Sequence, residues 1–135
     1  MESTKPKITK TQFLHSKLTG KIIGCAMKVH SALGCGYPEV IYQRALAYEM
    51  DKQEVTFSRE IEMPLYYDGF SVGVRRTDFI VENNVVLELK AVGEMDKGNF
   101  NQVLNYLKAY EKEVGLLINF GAESLQVKRF IHSVE

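Results

Sequence analysis

The chain has 135 residues, 45% hydrophobic and 25% charged, with 17 basic and 17 acidic side chains. That balance suits one folded domain around one core and argues against disorder throughout. A formal net charge of zero also argues against a protein that coats nucleic acid by bulk electrostatics, although a local basic face remains compatible with it.

Cys25 and Cys35 form no C-x-x-C pair and no metal-like cluster with the three histidines. A reducing, cytoplasmic setting is therefore expected. No apolar run approaches the ~20 residues of a membrane helix, and the N-terminal lysines precede no apolar signal-peptide segment.

Residues 1–16 (MESTKPKITKTQFLHS) are expected to be a flexible, polar tail, with residues 17–135 forming a single domain. In LTGKIIGCAMKVHSALG, Ile22, Ala26, Val29 and Leu33 fall at helical spacing. Thr19 is the expected N-cap, Leu18 and Ile23 a hydrophobic staple, and Gly34 the terminator. A second helix is expected from Pro38, a good first helical residue, to about Lys52. The period then changes to two. FSREIEMPLYYDGFSVGVRRTDFIV predicts two strands joined at Asp68-Gly69, a strong hairpin turn. NVVLELKAV predicts a third strand. Residues 96–110 return to helical spacing, with Asp96 as N-cap and Phe100, Val103, Leu104 and Leu107 as one apolar stripe. GLLINF predicts a strand buried on both faces, and LQVKRFI a last, alternating strand. The order is α-α-β-β-β-α-β-β: an α/β domain with no internal repeat.

The apolar residues select the register of the second and third strands. Val85, Leu87 and Leu89 share one face, and Val86, Glu88 and Lys90 the other. A two-residue turn at Asn83-Asn84 would set Phe79 opposite Glu88 and spoil both faces. A three-residue connection, Glu82-Asn83-Asn84, pairs Val81 with Val85, Phe79 with Leu87 and Asp78 with Glu88. Two carboxylates ~4 Å apart repel by roughly 1–4 kcal/mol at effective dielectrics of 80 to 20, and desolvation adds to that. Lys90 offsets only part of it. A hard divalent cation with oxygen ligands is a natural remedy. The competing reading is a solvated sheet face, with Glu88 paired to Lys90 and Asp78 to Arg76.

Asp78 followed by Glu88-Leu89-Lys90 resembles the signature of the PD-(D/E)XK nuclease superfamily, and the element order resembles its α-β-β-β-α-β core. Gly36-Tyr37-Pro38-Glu39-Val40-Ile41-Tyr42 is similar to the G-x-x-E-x-x-Y pattern of the GxxExxY protein family. LELKAV, NQVLNYLKAY and GLLINFG also look like that family, and the resemblance spans roughly residues 18–131. Thr77 stands where the superfamily's name has proline, a position that supplies no ligand. The resemblance implies a restriction-endonuclease-like core: a central mixed sheet flanked by helices. It implies that Asp78 and Glu88 bind Mg²⁺ or Mn²⁺ with the Leu89 carbonyl, and that Lys90 positions or activates the attacking water. Glu39 matches an extra helical acid at the metal, and Gln102 and Tyr106 match the Q-x-x-x-Y of the RecB-like branch. The implied activity is metal-dependent phosphodiester hydrolysis of nucleic acid, DNA first, with RNA open. The alternative is an inactive nuclease-fold module that binds nucleic acid or a protein partner. Arg75, Arg76 and Lys128 are candidates for holding the substrate backbone. A homodimer, or service beside a larger protein, is the expected setting for so small a chain.

Overall fold

The computed structural model of the chain describes residues 15–133. The elements run α1 (Ser16–Leu33), α2 (Glu39–Lys52), β1 (Phe57–Tyr67), β2 (Phe70–Val81), β3 (Val85–Lys90), α3 (Lys97–Tyr110), β4 (Val114–Asn119) and β5 (Gln126–Ile131). This is the predicted order. Most of the tail assigned to residues 1–16 lies outside the described residues; Ser16 is already the first residue of α1.

Two helix starts differ from the sequence expectation. Thr19 does not cap α1. Its hydroxyl lies inside the helix and donates to the Ser16 carbonyl at 3.1 Å. A threonine hydroxyl can serve the carbonyl three residues back as readily as it serves a helix end, so its presence does not fix the boundary. Pro38 is the extended residue before α2 rather than its first helical residue. α3 starts as predicted. Asp96 accepts from the Asn99 amide and Asn99 from the Asp96 amide, each at 3.0 Å, a reciprocal capping box. Its buried stripe is Val103, Tyr106, Leu107 and Tyr110. Leu104, predicted in that stripe, is exposed, because α3 meets the sheet along a single narrow side.

The five strands lie in the order β1-β2-β3-β4-β5. β3 and β4 are parallel, with α3 as the crossover, and the other neighbours are antiparallel. The Asp68-Gly69 turn has φ of 50° and 80°, the paired left-handed residues that fit a tight hairpin. β2 pairs with β3 through Phe79↔Leu87, Ile80↔Val86 and Val81↔Val85, the register selected by the apolar residues. The connection takes its positive φ at Glu82 and Asn83, and the Asn84 amide closes it on the Val81 carbonyl at 2.9 Å.

Each sheet face carries its own core. On one, Phe79, Val81, Val85, Leu87, Leu89, Leu116, Ile118 and Phe120 pack against α1 and α2. On the other, Ile80, Val86, Leu117 and Phe130 pack under α3. β3 and β4 are thus sandwiched, and β4 is buried along its whole length. By contrast, the distal half of the β1–β2 hairpin extends beyond the helices and is largely exposed.

Candidate active site

The β2–β3 ladder ends at Phe79↔Leu87. Beyond it the strands part, and Asp78 and Glu88 stand at the opening of the fork. Each carboxylate grips the other residue's strand. The Asp78 amide donates to Glu88 Oε1 at 2.9 Å, and the Leu89 amide donates to Asp78 Oδ2 at 2.8 Å. A residue within a strand presents its N–H and C=O to the same side, toward one neighbouring strand. The Leu89 carbonyl therefore opens into the fork as well.

Alternation had placed Asp78 on the face of Ile80. Asp78 leaves that face: its Oδ1 accepts from Gln43 Nε2 on α2 at 3.2 Å, on the opposite side of the sheet from α3. The cause is local. The β1–β2 register passes from Arg59↔Phe79 to Ile61↔Thr77 with no pairing of Glu60 to Asp78, and Glu60 has φ of 50°. This left-handed residue breaks the alternation and turns Asp78 into the fork.

Glu88 is 4% exposed. Burial, and then the neighbouring Asp78 charge, push its carboxyl up to about 8 from 4.5. Burial also raises Asp78, opposed by the Leu89 amide and the Lys90 charge. Lys90 lies at the end of β3, half-buried, and its charge lowers both acids and Glu39. The salt-bridged alternative is not what forms. Arg76 reaches Glu60 at 3.6 Å and Glu62 at 3.8 Å, and no ion pair among the described residues contains Asp78, Glu88 or Lys90.

Glu39 sits in the first turn of α2. Partial desolvation, then the Asp78 charge, raise its pKa, so it stands within electrostatic reach of the fork. The G-x-x-E-x-x-Y segment supplies this placement. The Tyr42 hydroxyl donates to the Gly34 carbonyl at 2.6 Å and accepts from the Tyr37 amide at 3.2 Å, and its ring stacks on Phe120 at 4.8 Å. Gly36, at φ of 111°, allows the tight path between them. Tyr42 thereby fixes the loop from which Glu39 emerges.

Gln102 and Tyr106 form a pair on α3, the amide donating to the phenol oxygen at 3.1 Å. Burial and then the Glu88 charge raise the Tyr106 pKa, placing Tyr106 beside the fork on the α3 side. Arg75, Gln102 and Tyr106 line a groove of about 790 Å³ between the β1–β2 hairpin and α3. Lys128 lies over the Phe100 ring at 4.2 Å and, farther off, over the Phe130 ring at 5.8 Å.

Sequence reasoning missed three supports. Gln43 holds Asp78; its spacing of four from Glu39 on one helix was the available signal. Thr77 is fully buried and its hydroxyl lies between the Leu87 carbonyl, at 3.4 Å, and Glu88. Asn119, at the end of β4, accepts from the Val92 and Gly121 amides, each at 3.0 Å, and donates to the Val92 carbonyl at 2.8 Å. With the Phe120 amide on the Lys90 carbonyl at 2.8 Å, this clasps the chain just after Lys90. Gly121 is required there, since a Cβ would stand 2.4 Å from both Val92 N and Val92 O.

Whether a divalent cation fits is a matter of donor chemistry. A buried carboxylate, Glu88, and a half-buried one, Asp78, meet at one fork with a backbone carbonyl beside them, all hard oxygen donors. Mg²⁺ and Mn²⁺ accept such a set with water completing it. Among the described residues no group of three or more His, Cys, Asp or Glu side chains stands ready to hold a metal ion by itself.

A mixed five-stranded sheet covered by helices, with two acids and a lysine at a strand fork, defines a restriction-endonuclease-like domain. The chain belongs to the PD-(D/E)XK nuclease superfamily, whose family profile matches residues 16–130. No curated protein matches it. Among solved structures, the crystal structure of SSO0001 matches with a TM-score of 0.54 at 18% identity, over 98% of this chain and 72% of that one. That likeness concerns the fold. No helix among the described residues is long and apolar enough to cross a membrane.

Proposed function

We propose that this protein is a divalent-metal-dependent nuclease of the GxxExxY branch, hydrolysing phosphodiester bonds at the fork between β2 and β3. The observation that carries this reading is the reciprocal lock of Asp78 and Glu88, two desolvated acids held together beside Lys90. A structural sheet face gains nothing from that arrangement, which costs repulsion and desolvation. Asp78, Glu88 and the Leu89 carbonyl would hold Mg²⁺ or Mn²⁺, with Glu39 acting through water. The ion, when bound, would polarise a phosphoryl oxygen and acidify a water. Lys90 orients that water and stabilises negative charge on the phosphate; as an ammonium it is a donor, not a base. Gln43 keeps Asp78 in the fork. Gln102 and Tyr106 face the substrate from α3.

The test is cleavage of labelled single- and double-stranded DNA and RNA with Mg²⁺ or Mn²⁺, comparing the native chain with Asp78→Asn and Lys90→Ala. Metal-dependent cleavage lost in both variants supports the reading. Tight binding without cleavage by the native chain supports the inactive module instead.

A further inference from the structure

The β1–β2 hairpin reaches past the helices and ends in an aromatic tip. Tyr67 is 75% exposed and Phe70 is 74% exposed, and the two are cross-strand partners. Their face can be read from the register. Leu65 lines the groove against α3. The register shift after Leu65 leaves Val72 as the extra residue on β2, so β1 continues without an insertion and Tyr67, two residues on, points the same way as Leu65. Phe70, opposite Tyr67, shares that face. The two bare rings therefore stand on the groove's side of the hairpin, just beyond Leu65; the groove itself runs from Leu65 and Arg75 to Gln102 and Tyr106, and Tyr106 feels the Glu88 charge. Its polar lining is Arg75, Lys108, Asn101, Asn105 and Gln102, with no acid.

We infer that this groove is a single-strand channel. Unpaired bases stack on Tyr67 and Phe70 while the phosphate backbone runs along Arg75, Lys108 and the α3 amides into the fork. This rests on the nuclease reading of that fork and adds the strandedness of its substrate. Two arguments select a single strand over a duplex. Base faces are available to exposed rings only when bases are unstacked. A duplex is gripped chiefly through many phosphate contacts, but the groove offers two cations and the chain has no net charge. The amides and rings suit a ligand with few phosphates in reach and open π-faces.

The test is fluorescence anisotropy of the full chain without metal, using a labelled oligothymidylate and a duplex of equal length. Binding should favour the single strand. Tyr67→Ala with Phe70→Ala should weaken single-strand binding by about 30-fold or more, since stacking on each ring contributes about five-fold upward. Tyr67→Phe with Phe70→Tyr should retain it, and Arg75→Ala should flatten its salt dependence. An unchanged melting temperature of each variant shows that these exposed changes leave the fold intact. Equal or tighter duplex binding, insensitivity to the double alanine change, or capture of a protein partner in place of nucleic acid would overturn the inference. Metal-dependent cleavage of a duplex, lost in Asp78→Asn, would leave the nuclease reading standing while removing this one.

Discussion

Replacing Glu88 with glutamine should change how folding stability depends on pH, before any activity is measured. Glu88 is buried beside Asp78, and its carboxyl is pushed up to about 8 from an ordinary 4.5. Below the ordinary value, folded and unfolded chains both carry the proton. As pH rises, the unfolded chain releases it and the folded chain retains it, so stability falls until pH passes the folded value. Between about pH 5 and about pH 8 the loss integrates to about 3.5 kcal/mol at ~1.36 kcal/mol per pKa unit. For a chain of 135 residues that corresponds to roughly 12 °C in melting temperature. Glutamine removes the titration and keeps an oxygen that can accept the Asp78 amide. A residual slope of the same sign remains from Asp78, whose carboxyl burial also raises. The assay is urea or thermal denaturation across this range with a chelator present, for native and Glu88→Gln chains. Equal slopes in the two proteins, or a native chain that gains stability toward about pH 8, would refute the account of a desolvated acid pair.

The same protonation couples to metal: stabilisation by Mn²⁺ in thermal shift should grow as pH rises toward about 8, because the ion must displace the Glu88 proton. Gln43→Ala removes the donor to Asp78 Oδ1 and should lower metal affinity about 10-fold or more by calorimetry, with the fold retained. Tyr42→Phe deletes both bonds that fix the loop before α2 and should cost about 1–3 kcal/mol in urea denaturation. Gly121→Ala sets a Cβ against Val92 backbone; denaturation should show a loss of at least about 2 kcal/mol.

What could be read from the sequence was the part governed by periodicity. Phe79, Val81, Val85 and Leu87 admit one register that keeps a buried face intact, and the ladder adopts it. Glu88 then follows, since a strand sandwiched between two layers leaves its charge no route to water. The orientation of Asp78 did not follow. It depends on Glu60, a residue eighteen positions earlier whose left-handed backbone has no signal in composition or spacing. The clasp formed by Asn119 was equally hidden, because it joins loops after two parallel strands brought together by a helical crossover. Helix ends were legible where the cap is reciprocal, as at Asp96 and Asn99. They were not legible where one hydroxyl could serve either side, as at Thr19.

The outer rim of β1 has a consequence for self-association. A bare strand rim invites a second molecule to extend the sheet. This one carries Arg59, Glu60 and Glu62, interrupts its own hydrogen-bonding rhythm at Glu60, and has at Pro64 a residue with no amide hydrogen to offer. Two molecules cannot zip together there into a continuous ribbon. A pairing of copies by sheet extension is left the opposite edge, β5.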